Sequence, residues 1–467
     1  MRWPEPPAPA PMARVAVVAP VADLRDVLVR VAGSGAVEVD RTVAADLPPG
    51  DAERHLQRLA DGRGARPRLA MTRPDLDALE RAGRADLLAG ESELEQREAG
   101  AVRRGAVAAL AGWAPRVSVP ALAAQLAEVG GAVVPLPAPR GAEPPTLVRH
   151  AGAARSFEPL VQTYATVPYR DVDPTLAAGI AYVVMFGMMF GDAGHGLLLL
   201  LAALLLRAGR PRALARLRER WLLVAGAGLT SVLFGLAYGE AFGPTGLPVL
   251  WLDPLEEPTA LLLAAVGLGA VLLAGAYGVG TVNRVREGGW ALALYAPGGV
   301  AGASLFLGAG LAAAGWYAGS GLLALAGGVV VVAGLGLTFV GLYVGSGGGA
   351  AGAAQSVVEL VDTVTRLGAN VVSFARLAAF GITHAAIAGL VWTGTVALWG
   401  SGPLGIAGAA VLFAVGNALA FGLEALVAGI QALRLEYYEL FSRVFTAEGR
   451  PFHPWLLAVV PVEEVPR

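Results

Sequence analysis

Residues 371–386 read VVSFARLAAFGITHAA, and the arginine at 376 sits in a run that is otherwise almost wholly apolar. A charge at the centre of a bilayer costs on the order of a few kcal/mol, so a chain keeps one there only where it has a use. The rest of the chain decides whether the run lies in a bilayer. Of 467 residues, 55% are hydrophobic and 15% charged, and the mean hydropathy is +0.59. That is the composition of a membrane protein, not of a soluble globule.

Several chemistries are excluded by what is missing. There is no cysteine, so thiolate catalysis, disulfides and Cys-based zinc sites do not arise. There is also no lysine, so the 35 basic residues are all arginine. The GxxxxGK[ST] phosphate loop needs its lysine, and GxSxG elbows and HExxH pairs are absent, so nothing indicates that the chain alone hydrolyses nucleotide or peptide. No cofactor is expected, and the five histidines (His55, His150, His195, His384, His453) are too scattered in sequence to suggest a metal site. A net charge of −2 says little about partners; none of them is expected to be a nucleic acid.

Working outward, the first eleven residues are Pro-rich with no apolar h-region, so they are expected to be disordered and not a signal peptide; Met12 offers an alternative start. Residues 12–165 carry most of the charge and read as a small cytoplasmic α/β domain. Its expected strands are ARVAVVAP, AVEVD, GAVAALAGW and GGAVVPL, with helices in VADLRDVLVRVAG and VPALAAQLAEV. A charged helical stub interrupts it over about 41–103, and LPAPRGAEPP forms a linker. Residues 166–467 read as a transmembrane domain.

Apolar segments there run at roughly 175–190, 194–207, 221–239, 259–281, 290–314, 321–345, 357–399 and 404–442. Eight helical spans are expected, the glycines and Asp192 of FGDAGHG (190–196) separating the first two. Arginine-rich connections stay cytoplasmic. With eight spans, the basic stretches at 207–220 and 283–289 and both termini fall inside, while acidic WLDPLEEP falls outside. Gly and Ala in spans four to six point to close helix packing.

The last two segments, about 43 and 39 residues long, have no internal proline and as helices approach 60 Å at about 1.5 Å per residue. A bilayer needs only about 20 residues, so they protrude or cross strongly tilted. At 100° per residue Asp362, Thr365, Ser373, Arg376 and Thr383 share a stripe with His384 on its shoulder. Asn417, Glu424, Gln431 and Tyr438 follow at seven-residue spacing, with Arg434 nearby. A hairpin about GSGP (400–403) puts Arg376 opposite the neighbourhood of residue 428. The plain alternatives are that Thr and Ser bond their own backbone, that Arg434 snorkels, that His384 is a core histidine, and that Arg376–Glu424 is a structural salt bridge. The functional alternative is a permanent cation beside protonatable Glu424, His384, Asp362 and His195.

With these residues in view, the chain from about 105 onward resembles the membrane subunit (subunit a or I) of V-type and A-type rotary ATPases. The resemblance runs through SFEPLVQTYATVPYRDVDPT, MMFGDAGHGLLLLLAALLLR, FGLAYGEAFG, SFARLAAFGITHAA and LEALVAGIQALRLEYYELFSRVF. It implies that the essential arginine falls on Arg376 and a second interface arginine on Arg434, with ion-path positions on Glu424, Gln431, His384 and Asp362. It further implies a non-catalytic subunit whose two half-channels carry H⁺ or Na⁺ to a rotating proteolipid c/K ring. The other implied partners are peripheral-stalk subunits of E/G type and the central-stalk adaptor of the membrane sector. The setting is a lipid bilayer, expected to be a prokaryotic plasma membrane. The family's long coiled-coil hairpin is replaced here by only the stub at 41–103. A secondary transporter and a non-conducting scaffold are the competing readings; the former usually shows inverted repeats and broken helices, and neither is evident in the sequence.

Overall fold

The strand β1 (Met12–Pro20) pairs antiparallel along its whole length with a strand almost a hundred residues away, so the N-terminal fold closes across a long insertion. The protein is described here from a computed structural model, which describes residues 9–40, 49–59, 64–139, 141–148, 150, 152–210, 212–445 and 448–465. Residues 1–8 of the expected disordered start, and 41–48 and 60–63 of the expected stub, lie outside the described residues. Two compact units form, one of Pro9–Arg149 with Gly449–Arg467 and one containing His150–Glu448.

In the first unit β1 is followed by α1 (Leu24–Ser34) and β2 (Glu38–Val39). The insertion then gives α2 (Asp51–Arg58), β3 (Arg68–Ala70), α3 (Leu76–Arg81), α4 (Ala85–Ala99) and β4 (Val102–Arg104). The core resumes with β5 (Val107–Pro115), α5 (Val119–Ala127) and β6 (Ala132–Leu136). The sheet order β2-β5-β1-β6, all antiparallel, is that of a ferredoxin-like βαββαβ unit. Every strand and helix expected in this core is present. Val15, Val27, Leu28, Leu110 and Leu126 pack between the helices and one sheet face. The insertion is compact: its buried ion pair Arg25–Glu91 closes at 2.6 Å.

The C-terminal tail returns to this unit. A strand at Ala458–Val460 pairs parallel with β3, the Trp455 and Leu457 amides bond the carbonyls of Val37 and Ala32, and both side chains enter the core. Sequence reading grouped these residues with the transmembrane domain. Short apolar runs between prolines carry no periodicity that would reveal a strand partner 390 residues upstream.

The second unit is helical: α6 (Ala154–Gln162), α7 (Thr175–Met189), α8 (Ala193–Arg207), α9 (Trp221–Tyr238), α10 (Pro258–Tyr295), α11 (Val300–Tyr317), α12 (Gly321–Gly345), α13 (Gly349–Ser373), α14 (Ala375–Trp399) and α15 (Pro403–Leu435). A π-helical turn, Glu436–Phe441, and α16 (Ser442–Val444) continue α15. Six helical stretches are long and apolar enough to cross a membrane. The first two expected spans are the 15-residue helices α7 and α8. Each is about 22 Å long, short of a hydrocarbon core of about 30 Å. The reading of eight spans thus becomes six long helices and two shorter apolar ones in a multi-pass membrane protein.

Two further boundaries move. The basic stretch 283–289, expected as a loop, continues α10, because Arg284 and Glu287 pair at 2.7 Å one turn apart and no proline intervenes. The helix bends only at Gly289, whose φ of 78° suits glycine. The expected single seventh segment divides at Phe374 into amphipathic α13 and apolar α14. Leu305, Val330 and Val331 on α11 and α12 approach glycines closely enough that a Cβ at Gly308 would lie 2.8 Å from the Val331 amide, as expected of Gly-rich membrane packing.

Candidate functional site

The site grows from the break between α7 and α8. The Asp192 side chain caps α8, its Oδ1 accepting the His195 amide at 2.7 Å, a favoured role for aspartate at an N-terminus. Oδ2 accepts the Gly243 amide at 3.4 Å, which brings the loop after α9 beneath the cap. In that loop Phe242 holds a left-handed φ of 54°, uncommon for a bulky residue and typical of functional sites. Its ring meets the His195 imidazole edge-on at 5.1 Å. Gly196 faces Gly228 across α8 and α9, where a Cβ would lie 2.7 Å from the Val232 amide, so the two helices touch backbone to backbone.

This packing delivers Asp192 and His195, both essentially inaccessible, to His384 of α14. The two imidazoles stand 5.7 Å apart in a T-shaped arrangement, and His384 Nε2 is 4.0 Å from Asp192 Oδ2. On its other side His384 Nδ1 is hydrogen-bonded to the Glu424 carboxylate of α15. Phe190 and Phe421 wall the cluster. Buried Glu240, in the loop after α9, lies in the same field as Asp192, His384 and Glu424. A cavity of about 160 Å³, lined by Met189, Phe380, Leu423 and Val427, ends at His384 and Glu424. Desolvated imidazoles and carboxylates at this density can exchange protons or hold a cation.

Arg376 occupies a second location, two turns along α14. It follows a tightened turn in which the Phe374 amide bonds the Val371 carbonyl and Leu377 the Phe374 carbonyl, an i to i+3 pattern that often marks a hinge. The arginine is half-buried, and among the described residues its buried Nη1 has no hydrogen-bond partner. Buried Glu439 lies within electrostatic reach of both Arg376 and Arg434. Arg434 is exposed, and Gln431 keeps a buried, unpartnered Oε1.

The structure therefore joins His195, His384 and Glu424, and leaves Arg376 and Arg434 within electrostatic reach of Glu439. It does not bring Asp362 to either group: that residue is exposed on α13 and pairs with Arg366 at 2.7 Å, about 21 Å along the helix from Arg376. Thr365, Ser373 and Thr383 bond backbone carbonyls four residues back, as the plain reading has it. The hairpin register differs from expectation. Contacts of His384 with Glu424 and Val391 with Gly416 place Arg376 opposite about residue 431 instead of 428. The proposed Arg376–Glu424 salt bridge is not formed; Glu424 pairs with His384. Sequence reading missed Asp192, Glu240, Glu436 and Glu439 as site residues, although FGDAGHG, AYGEAF and LEYYELF display acids inside apolar sequence. Glu436 is fully buried in the π-helical turn with neither carboxylate oxygen partnered among the described residues.

Residues 102–245 match the model of the V-type ATPase 116 kDa subunit family. The A-type ATP synthase subunit I of Thermococcus kodakarensis is 29% identical over 378 residues, covering 74% of this chain and 54% of that one. Its counterpart in Aeropyrum pernix is 28% identical over 348 residues, 64% and 50% of the two chains. A V-type ATP synthase subunit I of Treponema pallidum is 40% identical over 98 residues, 21% and 22% of the two chains. The chain spans about half the length of the A-type relatives it matches. The Asp-capped helix break and the glycine-packed α8 and α9 lie inside the stretch, residues 102–245, that is similar to the V-type ATPase 116 kDa subunit family.

Proposed function

We propose that this chain is the stationary membrane subunit of a V/A-type rotary ATPase and carries ions past a rotating proteolipid ring. The observation that carries the reading is the order of two protonatable clusters on either side of Arg376, whose buried Nη1 has no hydrogen-bond partner among the described residues. His384, Glu424, His195 and Asp192 lie toward the α14–α15 hairpin. Glu439 and Arg434 lie toward the other end of α15, and Arg376 stands between, eight residues, or about 12 Å, from His384. Two half-channels separated by a fixed cation need this order: ions enter from one side, ride on a ring carboxylate, and leave from the other. A guanidinium keeps its proton at any accessible pH, so it cannot relay one. It holds a ring carboxylate in its charged form once the proton has passed to the exit-side groups, and it bars a direct leak.

In this reading α7 and α8 complete eight crossings, both termini and the α/β unit are cytoplasmic, and the membrane is a prokaryotic plasma membrane. The chain itself is non-catalytic, ATP being made or hydrolysed on other subunits. The α/β unit takes the place of the stalk-binding domain, meeting E/G-type peripheral-stalk subunits, while the central-stalk adaptor sits on the ring. Asp362 has at most an entrance role, since it is exposed and paired with Arg366.

The native absence of cysteine makes the interface directly testable. Leu423 borders the cavity and is 63% exposed. Leu423→Cys is expected to cross-link to a cysteine in the outer helix of the ring subunit, and the chain to co-purify with that ring. A chain that purifies alone and cross-links to nothing supports a carrier instead.

A further inference from the structure

We propose that Asp192, His195 and His384 form a binding site for a divalent transition-metal ion of the Zn²⁺ class. Their ligating atoms all lie within 4.8 Å of one another. Asp192 Oδ1 is 3.6 Å from His195 Nδ1, and Asp192 Oδ2 is 4.0 Å from His384 Nε2. Zinc bonds of about 2.0–2.2 Å in a tetrahedron put neighbouring ligand atoms about 3.3–3.6 Å apart, so small side-chain rotations close the site.

Independent features point the same way. His195 Nδ1 and His384 Nε2, the two atoms that face Asp192, have no hydrogen-bond partner among the described residues. Both residues are at most 2% exposed, and leaving such atoms unsatisfied in a dry interior is costly. The outer contacts are those of a metal site: His384 turns Nδ1 to the Glu424 carboxylate, which fixes the ring and leaves Nε2 as the coordinating lone pair. Amides of His195 and Gly243 orient the Asp192 carboxylate. Glu240, whose Oε2 is buried and unpartnered among the described residues, adds negative charge to the field of Asp192 and His384, which favours a cation there. Two imidazoles with a carboxylate select Zn²⁺ or Co²⁺ over Mg²⁺ and Ca²⁺, which require oxygen cages.

Occupancy would hold His384 and Asp192 on the metal and close that half-channel. This consequence rests on the proposed function; the binding does not. The test uses the full chain in nanodiscs, stripped with chelator and titrated with Co²⁺. The expected result is one tetrahedral Co²⁺ per chain, displaced by Zn²⁺ but not by Mg²⁺. His195→Gln and His384→Gln should each weaken binding at least about 100-fold, and Glu424→Gln, which retains all three ligands, about 10- to 100-fold. A folded wild-type chain that binds no Co²⁺, or binding undiminished in both histidine variants, overturns the site. In the assembled complex, Zn²⁺ should arrest coupled ion transport. Binding without arrest would overturn the consequence and count against the ion-path reading, while the site stands.

Discussion

At the scale of single residues the account turns on how charges are partnered. Arg376 carries a buried Nη1 with no hydrogen-bond partner among the described residues, and in the proposed function this guanidinium faces the ring carboxylates. A lysine there offers a compact ammonium that loses the planar fork and sheds its proton when buried. Arg376→Lys is therefore expected to lower coupled ion transport at least about tenfold, a loss of about 1.4 kcal/mol in transition-state stabilisation, with assembly intact. Arg25 shows the opposite case, a cation used up inside its own fold. It pairs with Glu91 at 2.6 Å, whose carboxyl burial pushes above its ordinary range while Arg25 opposes that shift. A carboxyl raised in the folded state stabilises fully below its ordinary value of about 4.3, and that contribution is lost as pH rises through the folded value. Arg25→Ala leaves Glu91 buried and unpaired, at a cost of about 3–5 kcal/mol near neutral pH. The cost should shrink as pH falls toward about 4.3. Denaturant unfolding, or hydrogen exchange of β3 and α4 amides, at the two pH values checks this; an equal penalty at both contradicts it.

Elements place the site by close approach. The contact of α8 with α9 at Gly196 and Gly228 leaves no space for a Cβ, so Gly196→Val must push the helices apart. Overpacking of this kind costs about 1–3 kcal/mol, and because Asp192 and His195 ride on α8, the His195–His384 contact should open with it. Lower thermal stability together with weakened coupling is the expected outcome; an unchanged protein would show that the helix contact does not set the site. The apolar helices are largely legible, since long apolar runs and the FGDAGHG break locate them, apart from the continuation of α10 through 283–289 and the division at Phe374. What escaped was how elements meet. The α14–α15 pairing depends on how many residues the turn near 400 consumes, and a shift of about three residues moves Glu424 from Arg376 to His384. His195 and His384, 189 residues apart, meet only through packing of α7, α8 and α14, for which no spacing rule exists. The bend at Phe374 likewise has no proline or glycine to announce it.

For the whole molecule, the chain enters the α/β unit at both ends, since the tail adds a strand and Trp455 to its core. Composition foretold two kinds of folding unit but not this return. The unit keeps the ferredoxin-like core with only a compact insertion. The second unit holds the arginines, the His384–Glu424 pair and the cavity beside it, so the proposed role in ion translocation stands or falls on that unit. The most direct measurement is ATP-driven ion uptake into vesicles bearing complexes assembled with Arg376→Ala. The account predicts normal assembly and ATP hydrolysis with coupled uptake abolished; undiminished uptake by an assembled Arg376→Ala complex would contradict it.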